Sequence, residues 1–187
     1  ILLGHDSHFG KDRQGDAALL ERLGREAGIE VRTCEPELHQ GRPMSSSFIR
    51  EAILAGRLEE AASLLGRPVS VHGKVVRGDQ RGTALGFPTA NLDLHHRVRP
   101  PRGVYAVEVV MDGKNHRAAA NIGRRPTFTS EGAEVLEVHV LDYAGGDLLG
   151  RDLEVRFLRR IRDEKKFSGP EELKKQIAAD IAAIRAC

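Results

Sequence analysis

The sequence has few aromatic residues and no tryptophan: Phe, Tyr and Trp together make up 4% of its 187 residues. Its 29 Lys and Arg nearly balance its 27 Asp and Glu, and these charges are spread along the chain. Proteins that bind nucleic acids usually combine a basic patch with aromatic side chains on which bases stack. The composition therefore disfavours a module that binds nucleic acid.

Cysteines and long apolar runs are also scarce. The two cysteines, Cys34 and Cys187, are too far apart in sequence to fit the spacing of a metal site or a compact disulfide framework. We therefore expect two free thiols in a reducing cytoplasm. No apolar run reaches the length that a membrane-spanning helix needs, so no membrane partner is expected either.

Residues 1–66 show the spacing of short strands that alternate with amphipathic helices. One predicted helix is capped by Asp16 and stopped by Gly28, and Ile29-Glu30-Val31 then alternates as a short strand. Two further helical stretches end at Gly66. Alternation of strands and helices predicts a parallel α/β sheet. The run Ile1-Leu2-Leu3 has no polar lead-in, so we expect that part of an upstream domain precedes it and that this α/β region is an incomplete fragment.

From Arg67 onward the apolar residues recur with a period of two. Several short strands separated by turn signals predict a closed antiparallel barrel; their apolar positions fall in residues 69–75, 105–111, 135–141 and 153–157. Only the end is helical, and Ser168-Gly169-Pro170-Glu171 is typical of a capping box. We place the domain boundary at Gly66 and Arg67, which gives domains 1–66 and 67–187.

A glycine-rich stretch, GDQRGTALGFPTANLDL at residues 78–94, carries the first candidate site. Glycines at positions 78, 82 and 86 allow backbone N–H groups to approach an anion, and Arg81 adds positive charge. Thr89 and Asn91 lie two residues apart, so on a strand their oxygens share one face. Such hard oxygens suit Mg²⁺ beside nucleotide phosphates. The alternative is a hairpin loop that leads into a strand with a solvated polar face.

A second candidate is the strand at residues 135–141. Glu137 and His139 share one face of this strand, while Leu136, Val138 and Val140 share the other. An acid among apolar neighbours can act as a general base. The alternative is an acid at a barrel mouth paired with an arginine, and His139 is better explained as a hydrogen-bonded structural residue. A third segment, Ala120 to Phe128, is typical of a loop that closes over a ligand or of an ordinary connection.

Together these segments resemble a known family. GDQRGTALGFPTANL, RGVYAVEV, AANIGRRPTF, LEVHVLD and IRDEKKFSGPEELKKQI occur in the order found in riboflavin kinases. The chain is similar to the bacterial bifunctional riboflavin kinase/FMN adenylyltransferase family over all of residues 67–187. The resemblance implies a six-stranded barrel with a C-terminal helix that transfers the γ-phosphate of ATP to the 5′-hydroxyl of riboflavin, giving FMN.

The resemblance also implies roles for individual residues. Glu137 would be the catalytic base, and Thr89 and Asn91 would hold Mg²⁺ and ATP. Further ATP contacts would come from Gly78, Arg81 and Gly82, and flavin contacts from Arg125 and Arg162. A non-catalytic barrel that binds flavin or nucleotide is the alternative, since binding and transfer use the same pocket.

Residues 1–66 resemble the final part of the adenylyltransferase domain. GHDSHFG matches that family's Gly-x-Asp-x-x-Phe-Gly, and SSSFIR matches its Ser-Ser-Thr-x-Ile-Arg with Ser47 in place of Thr. Ser46, Ser47 and Arg50 would then hold ATP phosphates at a helix N-terminus, unless the serines are simple caps. The family's early histidine motif does not occur in these residues. We therefore expect an incomplete adenylyltransferase half here, and a parent protein that also converts FMN to FAD.

Overall fold

The computed structural model describes residues 1–78, 81–93, 98–124 and 134–186, without the side chains of Arg81 and Ala84. It contains two compact units, Ile1–Ser46 and Ser47–Cys187. These units are defined by contacts between residues and need not coincide with family domains. The domain boundary at Gly66 and Arg67 therefore stays a prediction. In the described part of the chain, no helix is both long and apolar enough to cross a membrane.

The first unit is a small α/β region. It contains a 3₁₀ turn, one α-helix and four short strands: β1 (Leu2–Gly4), the 3₁₀ turn (Lys11–Arg13), α1 (Ala17–Ala27), β2 (Arg32–Cys34), β3 (Leu38–His39) and β4 (Arg42–Pro43). β1 and β2 pair in parallel, whereas β3 and β4 form a separate antiparallel pair. The predicted α/β character is confirmed.

Helix α1 begins and ends where the sequence predicts, but the strand after it does not. The Asp16 carboxylate accepts a hydrogen bond from the Leu19 N–H at 2.8 Å, and Gly28 ends the helix with a φ of 70°. The N–H of Ile29 then donates to the Gly24 carbonyl at 2.8 Å. Because this bond completes the helix end, Ile29 cannot yet pair in a sheet. The prediction of a strand at residues 29–31 is wrong, and β2 begins at Arg32.

The second unit holds the barrel and most of the helices. Its elements are α2 (Ser46–Leu54, which begins at the last residue of the first unit), α3 (Leu58–Leu65), β5 (Val69–Val76), α4 (Arg81–Ala84), β6 (Ala90–Leu92), β7 (Gly103–Met111), β8 (Lys114–Arg124), β9 (Glu134–Val140), β10 (Asp152–Arg162) and α5 (Pro170–Arg185). The single turn α4 lies between the glycines of the first candidate site, in the stretch for which a hairpin loop was the alternative interpretation.

Six antiparallel strands close into the predicted barrel in the order β10-β5-β6-β9-β8-β7. Alternate residues along each strand point inward, as the period of two requires. Tyr105 and Phe157 meet inside edge to face, with ring centroids 5.3 Å apart. The interior also holds the buried side chains of Val69, Val71, Leu92, Val107, Val109, Leu136, Val138, Leu153 and Val155. The strand positions read from the sequence are confirmed.

Helix α5 packs against the outside of the barrel. Its Ile184 and Ile181 form a cluster with Ala106, Leu141 and Ile161. The N-terminus differs from the predicted capping box, because Gly169 is the N-cap and Glu172 therefore occupies the third helical position. Glu172 accepts from the Ser168 N–H at 2.8 Å and from its hydroxyl at 2.7 Å. The capping carboxylate is thus Glu172 rather than Glu171.

Candidate active site

Two clefts meet on the surface of the barrel. The helix-side cleft, about 340 Å³ in volume, lies against α5 and includes Glu137 and Arg162 in its walls. The glycine-side cleft, about 580 Å³, includes Gly78 and Asn91. Among the described residues, Thr89 is the one that lines both. Thr89 therefore lies where a group held in one cleft would face a group held in the other.

Gly78 allows the close approach of Asn91. A Cβ at residue 78 would collide with the side-chain amide of Asn91, so any larger residue would displace that amide. Asn91 pairs with Val76 across β5 and β6, which brings it directly beside the start of the glycine segment. The absence of a Cβ at Gly78 therefore leaves room for the Asn91 side chain as well as for any ligand that enters the cleft.

Gly82 packs closely against Thr89, as Gly78 does against Asn91. A Cβ at residue 82 would collide with the Phe87 carbonyl oxygen and would lie 3.2 Å from the Thr89 hydroxyl oxygen. The Phe87 N–H donates to the Gly82 carbonyl at 2.8 Å, which folds the segment back on itself. Two glycines four residues apart therefore position the two oxygen-bearing side chains of the motif.

Asn91 carries an unusual buried oxygen. The residue is only 5% exposed, and its Oδ1 has no hydrogen-bond partner among the described residues. A buried amide oxygen without a partner costs free energy, on the order of 1–3 kcal/mol, unless a ligand satisfies it. A hard cation would do so, and amide and hydroxyl oxygens are ligands that Mg²⁺ accepts. Asn91 and Thr89 therefore fit a magnesium site.

Glu137 lies in the middle of a polar row that crosses three strands. It is directly opposite Asn91 on β6 and directly opposite Asn121 on β8. Side chains of opposed residues share a face, with Cβ atoms about 4.5–5.5 Å apart. Leu136 and Val138 beside it are buried in the barrel, so the half-buried Glu137 points outward into the helix-side cleft. A carboxylate thus stands next to the proposed magnesium ligand.

His139 supports the Pro-Thr-Ala-Asn motif. Its Nδ1 lies 2.8 Å from the Pro88 carbonyl oxygen, which can only accept, so the ring donates this bond. The ring also meets Phe87 edge to face, at 5.7 Å between centroids. Both contacts fix the backbone just before Thr89. This geometry fits the structural role expected for His139.

Arg162 lines the helix-side cleft, and its guanidinium is bound by the protein. Its Nε donates to both carboxylate oxygens of Asp180 at 2.9 and 3.0 Å, and its Nη2 donates to one of them at 2.7 Å. The Phe167 ring lies 5.7 Å from the guanidinium carbon. Arg162 thus joins the end of β10 to helix α5 at the wall of the cleft.

The segment that begins at Ala120 is part of a strand rather than a loop. Residues 120–124 belong to β8 and pair with both β7 and β9. Asn121 and Gly123 line the helix-side cleft, and a Cβ at Gly123 would lie 2.5 Å from the Glu164 carboxylate. The loop interpretation of residues 120–124 is therefore wrong, because each of them finds a partner in the sheet.

The remaining predicted residues fall outside these clefts or outside the described structure. Ser46, Ser47 and Arg50 are exposed on the first turns of α2 and line neither cleft. Arg125 and the side chain of Arg81 lie outside the described residues, so their predicted roles stay predictions.

Sequence reasoning missed Asp180. It is buried, lines the helix-side cleft and binds Arg162. The available signal was its position: it lies three residues after Ile177 and one before Ile181, inside the apolar stripe of α5. An acid in such a stripe has to find a buried partner. Asn121 and Glu164 were missed because they are brought to the cleft by strand register and chain reversal.

The comparisons with known proteins identify the family to which the chain belongs. The family model described as Flavokinase, riboflavin kinase, matches residues 65–187. A bifunctional riboflavin kinase/FMN adenylyltransferase of Pseudomonas fluorescens is 43% identical over 186 residues, which cover 100% of this chain and 60% of that protein. The protein of the same description from Bacillus subtilis is 37% identical over 183 residues, covering 96% of this chain and 57% of its own length.

A solved structure shares the fold. The protein is named macrolide-efflux protein, from Streptococcus pneumoniae, and it is 37% identical with a TM-score of 0.81, covering 97% of this chain and 58% of that chain. The chain thus spans about 60% of the length of the curated relatives, which accordingly contain a part that this sequence does not include.

Proposed function

Because this chain belongs to the riboflavin kinase family, we propose that its barrel transfers the γ-phosphate of ATP to the 5′-hydroxyl of riboflavin and releases FMN and ADP. The observation that carries this proposal is the meeting of two clefts at Thr89, with Glu137 in one and Asn91 in the other. Phosphoryl transfer needs this arrangement, because donor and acceptor have to be aligned across one shared point. The family match also favours catalysis over a non-catalytic barrel.

The glycine-side cleft suits the phosphates of ATP. Its walls include Arg77 and Gly78 as well as Thr89 and Asn91, so positive charge, backbone and oxygen ligands occur together. Mg²⁺ held by Thr89 and Asn91 would neutralise charge on the phosphate oxygens when bound. Arg81 and Gly82 would act beside them, Gly82 through its close packing against Thr89.

The helix-side cleft suits the flavin ring. Its volume is within the range of small-molecule sites. Apolar side chains from four parts of the chain line it, namely Leu85, Phe87, Val104, Val135, Leu173, Ile177 and Ile181. A planar aromatic ring would bury its faces among these residues and leave its polar ribityl chain toward Thr89 and Glu137. A direct contact from Arg125 to the flavin belongs to this proposal. Arg162 is proposed to approach the flavin as part of the cleft wall, because its guanidinium is already bound to Asp180.

Glu137 would accept the proton of the attacking hydroxyl. The 5′-oxygen forms a bond to the γ-phosphorus while the bond from that phosphorus to the β,γ-bridging oxygen breaks, and ADP leaves with the electron pair. Asn91 and Asn121 flank Glu137 in the polar row, so the carboxylate is held between two amides. His139 keeps Pro88, and with it Thr89, in place.

The longer parent protein is proposed to carry a second activity. Its relatives are named as FMN adenylyltransferases as well as kinases, and this chain spans about 60% of their length. Ser46, Ser47 and Arg50 on α2 are proposed to contact ATP phosphates in that reaction, which would convert FMN to FAD.

The kinase proposal is tested with the full chain. The protein is incubated with riboflavin and ATP, with Mg²⁺ or with a chelator, and the products are separated by chromatography. We expect FMN and ADP in equal amounts when Mg²⁺ is present, and neither with the chelator. If the protein binds both riboflavin and ATP but forms no FMN, the non-catalytic alternative is correct.

A further inference from the structure

Asp180 is a buried carboxylate that has no role in the reaction proposed above. Only 6% of its side chain is exposed, and it lies on the face of α5 that turns toward the helix-side cleft. It accepts three hydrogen bonds from Arg162 and one from the Gln176 amide at 2.9 Å. A buried carboxylate is stable only when it is paired in this way. The pair Arg162–Asp180, with Gln176, is here called the clamp.

Irregularities in β10 aim Arg162 at Asp180. The register of β10 against β7 shifts between Phe157 and Arg159 and again between Arg160 and Arg162. Each shift inserts an extra residue, so the usual alternation of inward and outward side chains is reset. Within the second shift, Ile161 packs against the α5 cluster, and directly after it Arg162 reaches Asp180. Bulges next to functional sites commonly re-aim a side chain in this manner.

The guanidinium of Arg162 is mainly occupied by the protein. Besides Asp180, it donates through Nη1 to the Asp163 carbonyl oxygen at 2.8 Å, and Phe167 lies beside it. All three of its nitrogens therefore already donate within the protein. Arg162 is consequently suited to hold helix α5 in place, and less suited to bind a substrate directly.

The clamp lies at the wall that faces Glu137. Ile177 and Ile181, on either side of Asp180 along α5, line the same cleft as Glu137. The distance between α5 and the sheet therefore sets the width available to a flat ring. At the C-terminal residue of α5, Arg185 bonds Asp142 at 2.7 Å, but both of these side chains are more than half exposed. The buried clamp is thus the stronger constraint on the helix near the cleft.

We propose that Asp180 is a positioning residue for riboflavin: acting through Arg162, it fixes α5 at the separation from the barrel that the flavin ring requires. This inference rests on the proposed kinase function. It predicts a selective effect, because α5 lines the helix-side cleft and contributes no residue to the glycine-side cleft among the described residues. Loss of the clamp should therefore impair the use of riboflavin and leave the use of ATP nearly unchanged.

The test compares the same Asp-to-Asn substitution in two ion pairs of α5, the buried pair Arg162–Asp180 and the exposed pair Arg185–Asp142. Asp180→Asn places an amide donor where Arg162 also donates, so the two-pronged bond is lost. Asp142→Asn alters the exposed pair with Arg185 and serves as the matched control. We expect kcat/KM for riboflavin to fall by ~10-fold or more in Asp180→Asn, since small misplacements of a substrate have effects of that size. The KM for ATP should change less than twofold, and Asp142→Asn should resemble the wild type.

A double variant separates positioning from direct contact. Arg162→Lys keeps the charge but loses the planar fork. If Arg162 acts with Asp180 as one unit, the variant that carries both substitutions should be no worse than Asp180→Asn alone. Additive losses would mean that Arg162 acts on the flavin independently, and would overturn the inference. Equal rises in the KM of riboflavin and of ATP would also overturn it.

Two further outcomes are distinguishable. If the wild-type chain forms no FMN, the proposed function fails; if it forms FMN and Asp180→Asn keeps the wild-type KM for riboflavin, only this inference fails. Should Asp180→Asn not fold, Arg162→Lys and Gln176→Met each remove part of the clamp. Both must then raise the KM for riboflavin, and an unchanged value in either one would refute the positioning role.

Discussion

The two clefts that meet at Thr89 are assembled in different ways. The glycine-side cleft takes most of its polar residues from one short stretch, Arg77 to Asn91, and two glycines within it fit directly against Thr89 and Asn91. The helix-side cleft draws its walls from residues between Gly82 and Ile181, which lie on the four strands β7 to β10, on helices α4 and α5 and on two loops. A site that needs only a few oxygen ligands close together can come from one short stretch of sequence. A wall that covers a large flat ring needs residues that only the tertiary fold brings together.

Glu137 lines the helix-side cleft, where we propose that it accepts the proton of the riboflavin hydroxyl that attacks ATP in the glycine-side cleft. We therefore expect the largest single effect from Glu137→Gln, which keeps the shape and removes the base. The value of kcat should fall by ~10²–10⁴-fold, since general-base assistance typically contributes that much. Binding of riboflavin and of ATP, measured by fluorescence and calorimetry, should remain close to that of the wild type.

Glu108→Gln is the matched control for this variant. Glu108 lies on β7, which β8 separates from β9 in the barrel; it pairs with Arg156 at 3.3 Å and lines neither cleft. Its activity should stay near the wild-type level. Near wild-type turnover by Glu137→Gln itself would make Glu137 a structural residue and would restore the non-catalytic interpretation.

Substitutions of Asn91 and Thr89 should affect the binding of ATP and of riboflavin to different extents. Asn91→Leu removes the buried Oδ1 and should weaken binding of ATP with Mg²⁺ by ~10–100-fold, the range expected for a hydrogen bond or ligand to a charged group. Riboflavin binding should not change, because Asn91 lines the glycine-side cleft alone. Thr89→Val should weaken ATP binding most and riboflavin binding to a smaller extent, since Thr89 lines both clefts. Equal losses for both ligands in calorimetric titrations of Asn91→Leu would indicate a disturbed fold instead.

Gly78→Ala should have a weaker effect of the same kind. The new methyl group would collide with the Asn91 amide and displace it, so ATP affinity should fall by roughly 3–10-fold, as for the loss of one ordinary hydrogen bond. Gly169→Ala is the control, because a Cβ there meets nothing within 4 Å. Titrations of both variants with ATP and with riboflavin check this. If Gly78→Ala binds ATP as tightly as the wild type, the packing of Gly78 against Asn91 has no functional role.

The difference between the clefts also explains what could be predicted from the sequence. The period of two gave the strands of the barrel, and the glycine and Pro-Thr-Ala-Asn stretch pointed to Thr89 and Asn91, because both signals are local. The strand pattern offered Glu137 as a base or a structural acid, and the resemblance to a family favoured the base. Asn121 stands beside Glu137 only through the register of β8 and β9, which no local pattern specifies.

Two wrong local expectations and one overlooked residue have related physical causes. The strand expected at Ile29 starts later because the helix end uses the Ile29 N–H. The Glu171 cap is replaced by Glu172 because Gly169, rather than Ser168, is the N-cap. Asp180 went unnoticed because its partner, Arg162, is aimed by register shifts in β10. Helix and strand types follow from periodicity, but exact ends and buried polar pairs depend on contacts that are distant in sequence.

A substitution of Glu134 should change the stability of the fold without affecting one cleft more than the other. It begins β9, the strand that carries Glu137, and its carboxylate bonds Arg99 and, at 3.0 Å, Arg102. Burial by itself would raise the pKa of Glu134, but the hydrogen bonds from Arg102 and Arg99 outweigh it, so the pKa lies below its ordinary value of 4.5. The charged form is therefore the one that stabilises the fold.

We accordingly expect Glu134→Gln to lower the free energy of unfolding by about 1 kcal/mol at pH 7, because the pair is partly exposed and its contribution is reduced by solvent. The KM values of ATP and riboflavin should shift together or not at all. A carboxylate with a depressed pKa in the folded state contributes its full stability above pH 4.5 and loses it as the pH falls through the folded value. Urea unfolding from pH 7 to pH 3.5 should thus show the two proteins converging at the acid end. A difference that stays constant over this range, or a change in the KM of one substrate alone, would contradict this role for Glu134.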